Sequence, residues 1–433
     1  MITKEQFEQL AGIELIEQDG KLVYYGKLNF SFIKDITDLP ESLKHLGNLD
    51  LSYRKDITEL PDNLKVLGWL NLKNSGVIKL PKGLEVENWF DISGTDIDVL
   101  PKDTKFGGSL FVNNMNKPFS FPKVVKSNGY LECSMTTIKQ MPEKVYTKDS
   151  CNFSHSKFDK LPKVMEVKYS LYMDSTPITE LSEGIKEVCG RLDIRHTKVT
   201  NLNDNLVVYD ILNLGYTQIE ELSKGLIVGY NLDLCDTNLK DYSNLHKVCS
   251  SFSISENRYE EIKDNLIEHS KRNLWGEVRI TFEPNYKGAY LFENENGKYI
   301  KVDNIFGKIV KQNGNEYHVK VVGCENITYL ITDGEGRWSH GDTLKEAKAD
   351  LNFKISKRNQ DAYKALTLDS KLSFQDAIMC YRVITGACYF GTMDFIEHRL
   401  GKNKKEVYTI KEIINLTKDE YGGKTFNDFF SKS

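Results

Sequence analysis

The stretch Leu70-Asn71-Leu72-Lys73-Asn74-Ser75-Gly76-Val77-Ile78-Lys79-Leu80-Pro81 decides the fold, because it is one copy of a pattern that fills more than half the chain. The pattern reads L-x-L-x-x-T/S-x-I-x-x-L-P. It returns as Phe90/Ile92/Thr95/Ile97, Leu192/Ile194/Thr197/Val199 and Leu212/Leu214/Thr217/Ile219. The closing pairs fall at Leu39-Pro40, Leu60-Pro61, Leu80-Pro81, Leu100-Pro101 and Leu161-Pro162, with Phe121-Pro122 and Met141-Pro142 in register. Leu181, Leu202 and Leu222 continue the series once the proline is dropped, and every step is 20 or 21 residues. Such regularity specifies a solenoid, since each unit can bury its apolar face only against its neighbours.

Within a unit the alternation of L-x-L predicts a short strand with both apolar side chains inward. The Ile and the later Leu re-enter the core after a turn. Proline after that Leu removes an amide donor and favours an extended return segment over a helix. These residues resemble the leucine-rich repeat family, in particular its short bacterial type with Leu-Pro on the return. The resemblance covers 28–258 with 10–11 repeats. It implies a β-rich arc of about 20-residue coils, an α/β-type repeat solenoid with a mostly extended convex side. Where that family usually stacks a buried Asn, this chain has Ser75, Thr95, Thr136, Ser156, Thr176, Thr197, Thr217 and Thr237. They are expected to form a hydroxyl ladder bonding the neighbouring coil's backbone. The unit at 102–122 departs from the pattern: Met115 replaces the hydroxyl, and Pro118 is extra. Residues 1–27 read as an amino-terminal cap.

Composition narrows the function. A formal net charge of −4 with 28% charged residues excludes a general nucleic-acid or membrane-surface binder, which needs a basic stripe. No apolar run of membrane-spanning or signal-peptide length occurs. Eight scattered cysteines without C-x-x-C fit reduced thiols, so a cytoplasmic setting is expected, with signal-independent delivery into another cell also compatible. No motif points to a cofactor, a metal site or a small-molecule ligand.

Alternation also assigns the outward face. Trp69, Asn71, Trp89, Asp91, Phe111, Tyr130, Glu132, Tyr172, Asp174, Arg191, Asp193 and Arg195 should line a ribbon on the concave side. Large aromatics are unusual on a solvated strand face and dominate binding hot spots. Acidic residues between them would suit a basic segment of a partner protein. Arg191, Asp193 and Arg195 are read as an internal charge network, with phosphate capture by the arginine pair as the competing idea.

Beyond 258 the period stops. A polar linking or capping helix is expected over 260–271, within a 259–275 connector. A small α+β domain is expected over 276–433, with strands at about 277–332 split by Asn-Gly and Asp-Gly turns, then helices at about 343–430. Its strand followed by Gly341-Asp342-Thr343 and a helix resembles HicB-like antitoxins over some 30 residues, a generic junction that carries no function across. The whole arrangement resembles leucine-rich repeat proteins of bacteria and phages. That resemblance implies a non-enzymatic protein binder, such as a phage- or mobile-element-encoded inhibitor of host defence. The rival class is an effector enzyme with a cysteine-dependent tail, because some related effectors carry a cysteine ubiquitin ligase there. Their C-x-D signature is absent. The candidates for that chemistry are Cys388, between Gly386 and Gly391 before a helix, with His340 or His398 as base.

Overall fold

The computed structural model describes residues 2–30, 39–263, 269–272, 277–303, 305–322, 324, 326–355, 360–387 and 389–431. The chain divides into two compact units, Met1–Phe282 and Glu283–Ser433.

In the first unit the L-x-L cores stack in register. Leu28, Leu49, Leu70, Phe90, Leu110, Leu131, Cys151, Leu171, Leu192, Leu212, Leu232 and Phe252 lie side by side in one parallel ladder. The result is a β-solenoid of about 11 coils of roughly 20 residues. Most strands are short, as in Leu70–Asn71 and Phe90–Asp91. Coil-to-coil hydrogen bonds nevertheless run on past them: Leu51 N–H donates to Asn71 O at 2.8 Å and Leu72 N–H to Asp91 O at 2.7 Å. A second strand precedes a bend in each coil, for example Lys65–Val66 and Glu85–Val86, and forms its own parallel pairs. Between 39 and 244 no helix is found, so the Leu-Pro returns are extended or turned. Leu72, Val77, Phe90, Ile92, Leu131 and Phe153 are fully buried.

The hydroxyls behave differently from a ladder. Thr95, Thr176, Thr197, Thr217 and Thr237 donate to the carbonyl three residues earlier in their own coil, at 2.6–3.0 Å. Only Thr136 and Ser156 reach back a coil, to Val112 O at 2.7 Å and Cys133 O at 2.6 Å. The residue before the hydroxyl position, Asn74, Gly94, Asn114, Met135, His155, Ser175, His196, Tyr216 or Asp236, takes positive φ in both groups, so the corner is the same whichever carbonyl the hydroxyl reaches. In the irregular unit, Met115 fills the hydroxyl position and is buried, so the departure is absorbed within the core.

Besides the step from Leu28 to Leu49, three coils are one residue longer, and each of these three spends the extra residue at the bend. The steps Leu49 to Leu70, Leu110 to Leu131 and Leu171 to Leu192 are 21 residues. Asn48 Oδ1, Ser109 Oγ and Ser170 Oγ accept the amides of Trp69, Tyr130 and Arg191 there, each at 3.0 Å. Gly68 occupies the first such bend because a Cβ would stand 2.5 Å from Gly47 O. Each insertion thus delivers a large outward side chain directly after a glycine.

Both ends of the ladder are covered by antiparallel strands, which keeps the edges from pairing with other chains. At the amino end Ile16–Gln18 pairs with Lys21–Asn29. Helix Lys4–Ala11, closed by a Thr3/Gln6 capping box, packs Phe7 on Phe30 with rings 5.8 Å apart. At the far end Glu277–Thr281 pairs antiparallel with Cys249–Ser255 and with His269–Arg272. The helix expected over 260–271 therefore lies earlier, at Glu256–Ile262, and 269–272 is a strand. Residues 264–268 and 273–276 fall outside the described set. The stretch 277–282 closes the first unit, so the unit boundary falls after Phe282 and not at 275.

The second unit is an antiparallel meander followed by helices. Tyr290–Asn294, Gly297–Val302, Ile305–Asn313, Glu316–Val321, Thr328–Thr332 and Trp338–Gly341 pair in sequence order. Ile300, Val302, Tyr317, Val319, Leu330 and Trp338 form its core. Helix Leu344–Ile355 packs Ala347 and Leu351 on Ile331. Phe374–Thr385 starts at a Ser373 cap and stops at Gly386 with φ 78°. Tyr389–Phe395, Ile410–Thr417 with its Thr409/Glu412 capping box, and Gly423–Ser431 follow. Arg382 and Asp350 form a buried ion pair at 2.8 Å, and the same carboxylate accepts the Tyr389 amide. Arg382 also donates to Ala387 O at 3.2 Å and lies over the Phe353 ring at 4.6 Å.

Candidate functional site

The four expected aromatics do come together on the outward side of the first unit. Trp69 and Trp89 stack face to face, with centroids 4.8 Å apart and planes 6° from parallel. Phe111 meets Trp89 edge-on at 6.3 Å and lies 6.4 Å from Tyr130. They do not form one file. Trp69, Trp89 and Tyr130 stand immediately before the stacked apolar residue of their coils, whereas Phe111 stands after it, opposite Asp91 and Glu132. Ser109 is the small residue in the first file, and Phe111 covers the space beside it.

Geometry restricts what this cluster can do. One face of Trp69 carries Lys27 Nζ at 5.1 Å, and the other is covered by Trp89. Phe111 takes part of the remaining Trp89 surface. The indoles therefore display edges, and a flat ligand such as a sugar ring finds no open platform. All four rings are half-buried. Burial, followed by the Glu132 carboxylate, holds the Tyr130 hydroxyl well above the usual tyrosine range.

The polar residues between them have a structural task that the spacing did not reveal. Asn71, Asp91, Glu132 and Asn152 each accept the backbone amide two residues on, at 2.8–3.1 Å, and so close the corner that follows the strand. Glu132 also accepts Asn152 Nδ2 at 3.0 Å, so both of its oxygens are engaged. Tyr172 stands two coils beyond Glu132 in the same file, past Asn152.

Arg191, Asp193, Arg195 and Asp174 form the expected network. Asp193 lies 3.0 Å from Arg191 Nη2 and 3.3 Å from Arg195 Nε. Asp174 lies 3.7 Å from Arg195 and 3.3 Å from His155 Nε2. Burial keeps Asp193 above the ordinary carboxylate value although both arginines pull it down. Both guanidiniums lie against carboxylates, while Arg191 Nε and Arg195 Nε are buried without a hydrogen-bond partner among the described residues.

In the second unit Cys388 lies outside the described residues. His340 and His398 line one cavity of about 410 Å³. His340 is buried, and its pKa is pushed down to about 3 by burial and, secondarily, by the Lys354 charge. His398 is exposed, 3.0 Å from Asp394. Among the described residues no group of His, Cys, Asp and Glu is placed to hold a metal ion, and no helix is long and apolar enough to cross a membrane. The seven described cysteines are free. Comparison with protein families, curated proteins and solved structures returns no match to this chain.

Proposed function

We propose that the chain is a non-enzymatic recognition protein that grips a partner protein through the aromatic face of the coils from Trp69 to Glu132. The observation that supports this reading is the contiguous cluster of Trp69, Trp89, Phe111 and Tyr130, half-buried on a solvent-facing ladder. Aromatic rings at the centre of a rigid surface are what protein interfaces use as anchors. A solenoid supplies that rigidity, because every ring is mounted on a strand fixed by two neighbours. The indole edges and the Tyr130 hydroxyl suit backbone carbonyls and apolar side chains of a protein better than a flat ring ligand. The acidic residues act mainly in corner turns, so the aromatic cluster is the anchor and charge is secondary.

We place the coils with the short Leu-Pro class of leucine-rich repeats, supported by the in-phase signature and the extended returns. A reducing compartment is the setting that fits the free thiols. The test is capture from the native host followed by affinity measurement. Replacing Trp69 and Trp89 together with alanine should weaken the captured partner by about 30-fold or more, whereas Asn71→Ala should leave affinity within about threefold. Retained affinity in the double variant sinks the reading.

A further inference from the structure

The cavity of the second unit is independent of the repeat face and has its own chemistry. Its volume of about 410 Å³ falls in the range of roughly 300–1,000 Å³ typical of small-molecule sites. Ile305, Val321, Phe374, Ile378, Phe395 and Leu416 supply its apolar lining. Polar groups complete the lining. Four of these are paired, Arg399 with Glu420 at 3.7 Å and His398 with Asp394 at 3.0 Å.

Lys354 is the exception. Its ammonium donates to Trp338 O at 2.6 Å and sits 5.0 Å over the Tyr421 ring. No described carboxylate lies within ion-pair distance of it; the Asp303 carboxylate lines the same cavity and feels the Lys354 charge, but its surroundings hold its pKa above the ordinary carboxylate value. Beside Lys354, His340 is held neutral by its burial and contributes no charge at neutral pH. A carbonyl and a ring face leave a third ammonium proton for a ligand. A cation lining an apolar cavity with no carboxylate within ion-pair distance favours an anionic head group, and its hydrogen bond to an anion is of the strong, charge-assisted kind. Asp303 near the same end disfavours a doubly charged head such as a phosphate.

We propose that this cavity binds a small apolar monocarboxylate, an acyl or aryl chain with a single carboxylate received by Lys354. The body of the ligand lies against Ile305, Val321, Phe374 and Phe395. Titration calorimetry on the full chain with decanoate, decanol, decylamine and phosphatidylcholine vesicles tests it. Decanoate should bind about tenfold or more tighter than decanol, with decylamine and vesicles giving no saturable heat. Lys354→Met should erase the difference between decanoate and decanol. Asp303→Asn, which removes the carboxylate that feels the Lys354 charge, should tighten decanoate several-fold, and Ala377→Phe should block both ligands by filling the cavity. Equal affinity for decanoate and decanol, preference for decylamine, vesicle binding, or no binding by a chain shown to be folded would each overturn the proposal.

Discussion

In the first unit each structural burden is repeated from coil to coil. In five coils a Thr hydroxyl closes the corner, in most an Asn, Asp or Glu accepts the amide two residues on, and one apolar residue fills each slot of the ladder. In the second unit the burden is concentrated. The single Arg382–Asp350 pair ties helix Leu344–Ile355 to Phe374–Thr385, and the same two side chains hold Ala387 O and the Tyr389 amide. The difference teaches where each unit is vulnerable. Loss of one coil contact is local and shared by neighbours, whereas loss of Asp350 leaves the buried Arg382 charge without the carboxylate that pairs with it.

The largest effect that could break this comparison is at Asp350. Asp350→Ala should cost the second unit about 3–5 kcal/mol, read by chemical denaturation, because Arg382 is left buried without its carboxylate. A loss below about 1 kcal/mol would show that the pair is not the tie described. Leu131→Ala in the ladder should cost about 2–5 kcal/mol through a cavity. Hydrogen exchange should place that loss in the coils around 131, with the end coils protected; uniform loss along the unit would contradict a distributed design.

A pH titration sharpens the contrast. His340 has its folded pKa depressed to about 3, so the unfolded chain takes up a proton first as pH falls below about 6.5. Stability is lost from there down and the loss is complete only below about pH 3. At about 1.4 kcal/mol for each tenfold change in proton affinity, the second unit should lose about 2 kcal/mol between pH 7 and pH 5. His340→Asn should flatten that slope, and an unchanged slope would remove His340 as its cause. The smallest effect separates the two roles on the outward face. Asp91→Ala should cost about 1 kcal/mol of stability through the lost turn bond and little binding, while Trp89→Ala should do the reverse. Equal effects on both properties would erase the distinction between anchor and corner.

Much of the first unit was legible because its period acts at every level. The L-x-L spacing predicted the strand register, and the Leu-Pro returns predicted the lack of helix. What stayed hidden was which backbone group each polar side chain meets. The hydroxyls were expected to bond the neighbouring coil's backbone, but five threonines bond the carbonyl three residues earlier in their own coil. Asn71, Asp91 and Glu132 looked like free surface groups because hydrogen bonds to an amide two residues on leave no mark on hydrophobic spacing. The glycine before Trp69, Tyr130 and Arg191 was the available signal for the longer coils, recurring every 61 residues. In the second unit the strands with alternating faces were predictable. Trp338–Gly341 was legible only as the strand before Asp342-Thr343, since all four of its residues are buried and the segment shows no alternation. The charge partner of Arg382 lies 32 residues away, beyond any local pattern.

The most direct test of recognition by the aromatic face is site-resolved crosslinking in the native host. A photoreactive amino acid is placed at Trp89, or at Ile78, which is exposed on a return segment. The aromatic-face reading requires one protein to be captured from position 89 and not from position 78, with capture lost when Trp69→Ala is added. Equal capture from both positions, or capture from 78 alone, would contradict it.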